Sequence, residues 1–461
     1  MTFSEYIESL SGKKVAVIGC GVSNRPLLRV LGKSGAIVTA YDKKTKDELG
    51  DFAVELDSLG IGFEGGADYL DRLSGDVIFR TPGLRPDVPA ISKAVENGAV
   101  LTSEMEVFFS VCPCPIIAIT GSDGKTTTST LISEILKKAG FTCHLGGNIG
   151  RPLLCDSESI SPDDRAVVEL SSFQLLTMRM SPSVAVVTNV APNHLDVHHG
   201  MEEYIEAKSN IFRWQKPSDR VILNHENDIT RGFGELAVSN VRFFSKKDIP
   251  SDGVYLADGV IRVRENGVET DVLPINEIRL PGIHNVENYM AAIAAVWGTV
   301  PADAICEVAR TFGGVEHRIE FVREIRSVRY YNDSIATSPT RAIAGLRSFD
   351  RRIIMIAGGY DKKIPFEPMA EDVCAHVKRL ILCGATAQKI KDAITSCPSY
   401  DPETLIIEET DDFTDAVNRA YRAAVSGDIV SLCPACAAFD RFPNFEVRGR
   451  TYKDIVSRLP E

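Results

Sequence analysis

A short apolar strand that runs directly into a glycine-rich turn and then a helix is the feature that most constrains this chain. Residues 116–120 form the apolar run, and a helical pattern extends to about Lys138. Between them lies the sequence Gly121-Ser122-Asp123-Gly124-Lys125-Thr126-Thr127. A strand, turn and helix in this order are typical of an α/β domain whose turn binds nucleotide phosphates.

The chemistry of this turn favours ATP as its ligand. Glycines let backbone N–H groups point at phosphate oxygens, and the start of the following helix adds positive potential. Lys125 supplies a point charge, and the Thr126 hydroxyl can bind Mg²⁺. The turn is shorter than the full phosphate-loop pattern, because residue 119 is isoleucine rather than glycine. The alternative is a turn that only caps a helix, and the flanking strand and helix favour phosphate binding.

Short apolar runs alternate with helical patterns along almost the whole chain. This alternation predicts parallel sheets covered by helices on both faces, and therefore the α/β class. Residues 220–279 look more like small β elements joined by turns. The strands predicted elsewhere are residues 15–18, 37–41, 76–79, 116–120, 166–170, 184–189, 329–331, 353–357, 380–383, 404–407 and 428–432.

The length of 461 residues corresponds to about three domains at ~150 residues each. The alternation of strands and helices begins again near residues 104 and 314, and we place the domain boundaries there. We predict an N-terminal Rossmann-like domain over residues 1–104 and a central P-loop ATPase-like α/β domain over residues 105–314. A C-terminal Rossmann-like domain is predicted over residues 315–461.

Charge and hydropathy exclude several classes of partner. The 51 Lys and Arg residues against 63 Asp and Glu residues give a net charge of −12, so an overall basic surface for nucleic acid or anionic membrane is missing. No apolar run approaches the ~18 residues of a membrane span, and the N-terminus is acidic where a signal peptide would be basic. We expect a cytoplasmic protein without a membrane span, whose 11 cysteines are reduced and mostly buried.

The first predicted strand ends in Gly19-Cys20-Gly21, and Asp42 lies about twenty residues further along. This is a partial dinucleotide-binding fingerprint, in which the acidic residue would bind a ribose. Asn24 stands where the third glycine is expected, so a tight turn without a ligand fits almost as well. From these residues alone, either NAD or a nucleotide sugar could be the ligand.

Glu169, His194 and Lys208 are further candidates for metal or phosphate chemistry. Glu169 ends a strand, where open α/β sheets place active crevices, and its carboxylate could share a Mg²⁺ ion with Thr126. His194 follows the next strand and could bind a second metal ion or an anionic substrate, although a surface histidine fits too. Lys208 lies in a helix predicted over residues 201–214 and, taken alone, is interpreted as a solvated lysine.

Together these motifs resemble the Mur ligase family, and the match spans the chain. The run over residues 434–449 is most similar to the members that add D-glutamate. The Asp-Asn-Pro-Arg signature of the members that add diaminopimelate is absent. The other matching segments, in chain order, are residues 120–127, Glu169, 193–196, 282–288, 316–318 and 332–334.

The resemblance implies an ATP-dependent ligase with three domains, which hold uridine diphosphate, ATP and the amino acid in turn. Such an enzyme transfers the γ-phosphate of ATP to the carboxylate of UDP-N-acetylmuramoyl-L-alanine. The amine of D-glutamate then attacks the acyl phosphate, and an amide forms. The implied setting is the synthesis of peptidoglycan precursors in the cytoplasm, which serves cell-wall formation, cell shape and cell division. A monomer is expected.

The resemblance also implies roles for individual residues. Lys125 would contact the γ-phosphate, Thr126 and Glu169 would hold one Mg²⁺, and an N-carboxylated Lys208 with His194 would hold a second. The ATP site would further include Gly121, Ser122, Asp123, Gly124, Thr127, Asn285, Asn288, Arg318 and Asp333. The UDP-substrate site would comprise Val22, Ser23, Asp42, Lys43, Thr81, Asn148 and His194. D-Glutamate would be bound by Thr337, Lys362, Ala438, Phe439 and Phe445.

Two positions depart from the family pattern near the amino-acid site. Many relatives have lysine where this chain has Ile335 and serine where it has Ala438, so a cation and a hydroxyl donor are lost. Lys362 and Thr337 still favour D-glutamate as the acceptor, with Lys362 facing its distal carboxylate.

Three alternatives stay open on the sequence. The first is another ATP-dependent acid–amino acid ligase similar to folylpolyglutamate synthase, which the N-terminal domain and residues 434–449 oppose. The second is an NAD-dependent oxidoreductase, in which Lys125, Glu169 and Lys208 would have no function. The third is a non-catalytic ATP-binding module, which would bind nucleotide without turnover.

Overall fold

The structure is a computed structural model that describes residues 1–21, 23–148, 150–193 and 197–461. It contains three sheets with helices between their strands, which confirms the α/β class. Its contacts divide the chain into two compact units: Met1–Glu277 with Val286–Val308, and Ile278–Asn285 with Ala309–Glu461. Each predicted domain range contains one sheet, and the boundaries at 104 and 314 stay a prediction.

The first sheet consists of five parallel strands. They are β1 (Lys14–Ile18), β2 (Ile37–Asp42), β3 (Gly62–Gly65), β4 (Val77–Phe79) and β5 (Val100–Thr102), in the spatial order β3-β2-β1-β4-β5. The helices of this part of the chain are α1 (Phe3–Glu8), α2 (Asn24–Leu31), α3 (Lys46–Leu49), α4 (Asp51–Ser58), α5 (Pro89–Glu96) and α6 (Glu104–Val111).

Both faces of the first sheet are buried. Val15 and Val17 belong to one hydrophobic cluster, whereas Ala16 and Ile18 belong to another. Successive side chains of a strand point to opposite faces, so the two clusters lie on opposite sides of β1. This double burial explains why the strand is a continuous apolar run rather than an alternating pattern.

The second sheet has nine strands. They are β6 (Ile116–Thr120), β7 (Cys143–Gly147), β8 (Arg165–Glu169), β9 (Val184–Val187), β10 (Arg220–Asn224), β11 (Asn240–Ser245), β12 (Gly253–Ala257), β13 (Val260–Glu265) and β14 (Val268–Pro274). Their order is β14-β13-β12-β11-β10-β9-β6-β8-β7. The helices here are α7 (Lys125–Lys138), α8 (Ser172–Leu175), α9 (Met201–Arg213), α10 (Asp228–Leu236), α11 (Ile283–Val296) and α12 (Ala302–Thr311), with short 3₁₀ helices at Leu154–Ser159 and Ile275–Glu277.

The small β elements predicted within residues 220–279 extend this sheet. Strands β10 to β12 add to it in parallel, and β13 and β14 follow as antiparallel hairpins. Asp258-Gly259 and Asn266-Gly267 form the two hairpin turns, and all four residues have positive φ. Two-residue turns of this type match the right-handed twist of the strands, and Asn-Gly and Asp-Gly sequences favour them.

The third sheet has six strands, β15 (Glu320–Ile325), β16 (Val328–Asn332), β17 (Ile353–Ala357), β18 (Val377–Cys383), β19 (Ile406–Thr410) and β20 (Ile429–Leu432). Their order is β15-β16-β20-β17-β18-β19, and β15 alone among them is antiparallel. Its helices are α13 (Pro339–Leu346), α14 (Ala370–His376), α15 (Ala387–Thr395), α16 (Phe413–Ala423) and α17 (Phe445–Ser457), with a 3₁₀ helix at Glu367–Met369. No helix in the described part of the chain has the length and apolar character to cross a membrane.

The predicted set of strands omits β3, β5, β7 and β15, and each of these lies at an edge of its sheet. An edge strand is paired on one side only and need not be a buried apolar run. Strands β3 and β7 also contain glycines, which weaken a strand pattern. The other individually predicted strands agree with the structure to within three residues at each end.

A central strand should contribute more to stability than an edge strand. Ile354 in β17 is fully buried, whereas Ile406 in the edge strand β19 is 42% exposed. We expect Ile354→Ala to lower the free energy of unfolding by about 2–5 kcal/mol, because it removes buried methyl groups and leaves a cavity. Ile406→Ala, the control, should cost about 1 kcal/mol or less. Urea unfolding followed by circular dichroism measures both, and equal losses would contradict the central position of β17.

Candidate active site

The predicted phosphate loop connects β6 to α7, and its backbone geometry requires glycine at two positions. Gly121 has φ +153°, and a Cβ there would lie 1.9 Å from Thr188 Oγ1. Gly124 precedes α7 with φ +78°, and a Cβ there would lie 2.4 Å from Asn288 Oδ1. Any side chain would displace the neighbouring polar groups, so the loop can take this shape only with glycine.

The segment that follows β9 holds the loop in place. Ser122 N–H donates to Asn189 O at 2.9 Å, and Asp123 N–H donates to Asn189 Oδ1 at 3.0 Å. Thr188 Oγ1 donates to Asp123 O at 2.6 Å. The Lys125 ammonium folds over the loop and donates to the carbonyls of Gly121 and Ser122 at 3.0 and 3.1 Å. These bonds fix the path of the loop between β6 and α7.

Thr126 and Glu169, which are predicted to share a Mg²⁺ ion, lie in hydrogen-bond contact beside the loop. Thr126 Oγ1 donates to Glu169 Oε2 at 2.8 Å, and Asn148 Nδ2 donates to Glu169 Oε1 at the same distance. Glu169 is only 1% exposed, because it ends β8, which pairs with a strand on each side. A carboxylate and a hydroxyl at the mouth of a phosphate loop are hard oxygen donors, so these residues fit Mg²⁺.

Lys208 is buried, so its interpretation as a solvated lysine is wrong. It lies on the inner face of α9, 1% exposed, and its Nζ donates to Gly121 O at 2.8 Å. A weaker contact of 3.4 Å joins Nζ to Thr120 Oγ1. Burial, aided by the positive charge of Lys125, lowers the pKa of Lys208 to about 7. A substantial fraction of this amine is therefore uncharged near neutral pH.

Two residues at this site were missed by the sequence analysis. Tyr204 Oη lies 3.0 Å from Ser122 Oγ, and Lys208 Nζ lies 4.7 Å from the centre of the tyrosine ring. Tyr204 stands four residues before Lys208 on α9, so helical spacing could have indicated it. Thr188 is the second missed residue, and only the structure shows that it lies against Gly121. His194 lies outside the described residues, so its predicted role stays a prediction.

In the first sheet, Asp42 closes the glycine turn that follows β1. Its Oδ2 accepts the N–H of Cys20 at 2.6 Å, and its Oδ1 accepts the N–H of Lys44 at 2.9 Å. Asn24 takes the place of a third glycine by donating to the carbonyls of Ile18 and Gly19, both at 3.0 Å. The turn is thus tied together by side chains rather than by close helix packing.

A cavity of about 350 Å³ opens beside this turn, lined by Cys20, Gly21, Arg25, Asp42, Lys44 and Leu49. Thr81 packs against Gly19, where a Cβ would lie 3.0 Å from the threonine Cβ. Ser23 directly precedes α2, and Lys43 is exposed directly after Asp42. Asn148 is placed against Glu169 in the second sheet. Val22 lies outside the described residues.

In the second unit, Asp333 is the buried acidic residue of the predicted nucleotide set. It follows β16, is 4% exposed, and accepts the N–H of Ile319 at 3.2 Å. Burial raises the pKa of Asp333 to about 7. Arg318 is exposed, and Asn285 Nδ2 donates to Pro281 O at 2.6 Å. Asn288 belongs to the first unit, where Thr128 Oγ1 donates to its Oδ1 at 3.3 Å.

The residues predicted for the amino acid lie on three loops of the second unit. Lys362 Nζ donates to Thr337 O at 3.4 Å, which brings these two residues together. Ala438 is buried and Phe439 is 63% exposed, with its ring 5.9 Å from that of Tyr360. Phe445 begins α17, and its carbonyl accepts the Ser334 hydroxyl at 2.7 Å.

Arg448 fixes two of these loops, although the sequence analysis gave it no separate role. It is 2% exposed, and its guanidinium donates to Ser334 O at 2.9 Å and Cys436 O at 3.0 Å. Further bonds reach Ser334 Oγ at 3.0 Å and Ala437 O at 3.2 Å. A buried arginine that donates to carbonyl groups of separate loops sets the distance between them.

Comparison with known proteins places this geometry in a family. Residues 119–296 match the Mur ligase middle domain, and residues 317–436 match the Mur ligase glutamate ligase domain. The chain is 50% identical over 460 residues to the UDP-N-acetylmuramoylalanine–D-glutamate ligase of Clostridium novyi, covering 99% of each chain. Identity is also 50% over 459 residues to the ligase of the same name from Acetivibrio thermocellus, covering 99% of this chain and 98% of that one.

Solved structures share the fold at lower identity. The UDP-N-acetylmuramate-alanine ligase of Thermotoga maritima matches with a TM-score of 0.57 at 17% identity, covering 96% of this chain and 99% of that chain. A UDP-N-acetylmuramoyl-L-alanyl-D-glutamate–2,6-diaminopimelate ligase matches with a TM-score of 0.56 at 18% identity, covering 85% and 94%. With full-length relatives at half identity and this shared fold, the chain belongs to the Mur ligase family.

Proposed function

We propose that this protein is an ATP-dependent ligase that adds D-glutamate to UDP-N-acetylmuramoyl-L-alanine, in the synthesis of peptidoglycan precursors. The observation that carries the proposal is 50% identity over 99% of the chain to ligases named for D-glutamate addition. The phosphate loop, the buried Glu169 and the buried Lys208 support it, because an oxidoreductase would have no use for them. ATP and Mg²⁺ are the cofactors of this family.

The ATP half of the site is built on the phosphate loop. Backbone N–H groups of Gly124–Thr127, at the start of α7, would surround the phosphates, because those of Ser122 and Asp123 donate to Asn189. The Lys125 ammonium, which donates to loop carbonyls in this structure, would contact the γ-phosphate instead. The adenosine and the remaining phosphate oxygens would be bound by Asn285, Asn288, Arg318 and Asp333. Asp333 is suited to this because a buried, hydrogen-bonded carboxyl group has a fixed direction.

Two Mg²⁺ ions would be held by residues beside the loop. Thr126 and Glu169 fit one ion, and an N-carboxylated Lys208 with His194 would hold the other. The modification requires an uncharged amine, and the burial of Lys208 provides one near neutral pH. When bound, these ions would neutralise the repulsion between the triphosphate and the substrate carboxylate.

The chain's own residues orient two successive substitutions. First, a carboxylate oxygen of UDP-N-acetylmuramoyl-L-alanine attacks the γ-phosphorus, and the bond to ADP breaks. Next, the amine of D-glutamate attacks the acyl carbon, phosphate leaves, and the amine loses a proton as the amide forms. Phosphoryl and acyl transfer depend on the positioning of the reacting groups and on electrostatic stabilisation, which the hydrogen-bonded loops would supply.

The two carboxylic substrates would be bound at loop ends of the first and second units. The uridine part would occupy the cavity beside Asp42. The family resemblance adds Val22, Ser23, Lys43 and Thr81 as residues of the same site, and Asn148 and His194 would contact the sugar side. D-Glutamate would be bound by Thr337, Lys362, Ala438, Phe439 and Phe445, with Lys362 near its distal carboxylate.

We further infer the setting of the reaction and the organisation of the chain. The use of ATP and a nucleotide sugar favours the cytoplasm. Three domains over residues 1–104, 105–314 and 315–461 are supported by one sheet in each range. A monomer suffices for the chemistry, because the proposed ligands of all three substrates come from one chain.

The choice of acceptor is tested by phosphate release from ATP and Mg²⁺ in the presence of UDP-N-acetylmuramoyl-L-alanine. D-Glutamate should support release together with an amide product of the expected mass. L-Glutamate, L-alanine, L-lysine and no acceptor serve as controls and should support little. Release with another acceptor would contradict D-glutamate specificity and point to Ile335 and Ala438. No release with any acceptor, despite nucleotide binding, would favour a binding module.

Lys125→Ala should abolish turnover while leaving binding of the UDP substrate nearly unchanged. The loss of the point charge at the transferred phosphoryl group should lower kcat by about 10³-fold or more. Steady-state phosphate release measures turnover, and calorimetry with UDP-N-acetylmuramoyl-L-alanine measures binding. Retained turnover would remove Lys125 from the phosphate site.

Lys208→Ala should lower activity by about 10²–10³-fold, because it removes a proposed metal ligand. Formate or acetate at high concentration should restore part of this activity by replacing the added carboxylate. Lys216→Ala, an exposed lysine just beyond the same helix, is the matched control and should behave as the wild type. Full activity of Lys208→Ala would contradict the metal-ligand role, and lost activity without carboxylate rescue would contradict N-carboxylation.

A further inference from the structure

A cluster of ionised side chains joins the turn after β4 to the segment that precedes α9. We call Arg85, Asp87, His198, His199 and Glu203 the Arg85 cluster. The Arg85 guanidinium donates to both oxygens of Glu203 at 2.8 Å and to Val197 O at 2.8 Å. It also donates to both oxygens of Asp87 at 2.9 and 2.7 Å. With five bonds in two directions, Arg85 connects elements from two different sheets.

His198 extends the cluster into the interior. Its side chain is completely buried, with Nδ1 3.1 Å from Glu203 Oε2 and Nε2 2.9 Å from Ser172 Oγ. Its ring stacks on Phe173, with 5.1 Å between the ring centres. Ser172 begins α8, three residues after Glu169. The contacts therefore continue from the turn after β4 to the segment that carries a proposed metal ligand.

A second contact runs in parallel with the arginine. His199 Nε2 lies 3.0 Å from Asp87 Oδ2, and the backbone N–H of His199 donates to Glu203 Oε2 at 2.9 Å. The guanidinium of Arg85 lowers the pKa of Glu203 to about 2 and holds the pKa of Asp87 well below its usual range. The contact with Arg85 therefore favours the ionised form of both carboxylates.

Burial separates the Arg85, Glu203 and His198 part of this cluster from ordinary surface ion pairs, whereas the side chains of Asp87 and His199 are 49% and 69% exposed. The side chains of Arg85 and Glu203 are 17% and 23% exposed. The other two-pronged arginine–glutamate pair of the first sheet, Arg29 with Glu55, has side chains 49% and 35% exposed. Exposed pairs contribute little, whereas a shielded charge-assisted network holds its members in one geometry. Such a network is better suited to fixing the distance between the turn after β4 and helix α9 than to raising the stability of the fold alone.

Each element that the cluster connects carries a residue proposed for substrate or metal. The turn after β4 begins with Thr81, proposed for the UDP substrate. Helix α9 carries Glu203 and, five residues later, Lys208 on a continuous helix. Helix α8 starts just beyond Glu169. Arg80, fully buried in the same turn, also donates to Phe173 O at 3.1 Å and Thr177 Oγ1 at 3.2 Å.

We propose that Arg85 is a positioning residue that fixes the UDP-substrate turn relative to the elements bearing the Mg²⁺ ligands, so that binding of the UDP substrate and of Mg²⁺-nucleotide is coupled. The proposal rests on the proposed function. Under this proposal Arg85 does not contact the reacting atoms. Its effect arises because small errors in the placement of two reacting groups cost large factors in rate. A loosened turn would present the substrate carboxylate at a variable distance from the γ-phosphate.

The coupling is measured by calorimetry without turnover. The affinity of the full-length protein for UDP-N-acetylmuramoyl-L-alanine is determined alone and with Mg²⁺ and β,γ-imido-ATP, and the ratio of the two dissociation constants is the coupling factor. We expect a wild-type factor well above one and a reduction of about tenfold in Arg85→Gln. Glu203→Gln should reduce it similarly. Arg85→Lys should not restore it, because lysine keeps the charge but loses the two-pronged geometry.

Arg29→Gln is the matched control, since it breaks an arginine–glutamate pair of the same kind in the same unit. It should leave the coupling factor, kcat and KM unchanged. In the Arg85 variants kcat should fall and KM for the UDP substrate should rise, while KM for D-glutamate stays constant. Thermal midpoints are recorded for every variant, so that a loss of fold is recognised.

An unchanged coupling factor in Arg85→Gln would overturn the proposal, whether or not the thermal midpoint falls. A wild-type factor of one would overturn it as well. These outcomes are distinct from failure of the proposed function, which would appear as wild-type protein that binds its ligands but forms no amide with D-glutamate. Wild-type turnover with an unchanged factor in the variant would leave the function standing and remove Arg85 from it.

Discussion

The absence of a side chain at two positions of the phosphate loop is the constraint on which the rest of the site depends. Gly121 approaches Thr188, and Gly124 approaches Asn288, more closely than any Cβ would permit. This lets the loop turn sharply from the central strand β6 into α7. The carbonyl of Gly121 is then free to accept bonds from both Lys125 and Lys208. Two lysines meet at this point because the backbone leaves room for them.

Buried ionisable groups mark where this protein departs from an ordinary core. Glu169, Lys208 and Asp333 are each at most 4% exposed and lie near the carboxyl ends of parallel strands or on a helix facing them. Burying such groups is costly unless they are hydrogen-bonded, and each of these three is. Arg80 and Arg448 are two further buried charged residues. Each is 2% exposed and donates mainly to backbone carbonyl groups. Buried arginines thus fix loops beside the proposed substrate sites.

The fold and the choice of substrates rest on different observations. Solved structures at 17% and 18% identity share the architecture with this chain, although they are ligases for different amino acids. The shared fold alone therefore does not specify the acceptor of this chain. In this chain the loops proposed to bind the acceptor carry Ile335 and the buried Ala438. A buried alanine leaves no unpaired hydroxyl, so this substitution is compatible with the packing around it.

The sequence by itself predicted the α/β class, the three sheets, the glycine turn between β6 and α7 and the proximity of Thr126 to Glu169. Apolar runs and glycine turns are local signals, and strand ends of parallel sheets meet at one edge. Only the tertiary structure decided that Lys208 is buried, that Tyr204 and Thr188 adjoin the loop, and where the edge strands lie. It alone also assembled the Arg85 cluster, whose arginine and glutamate are 118 residues apart. Such contacts join distant segments, and no local pattern of residues encodes which distant segments will pack together.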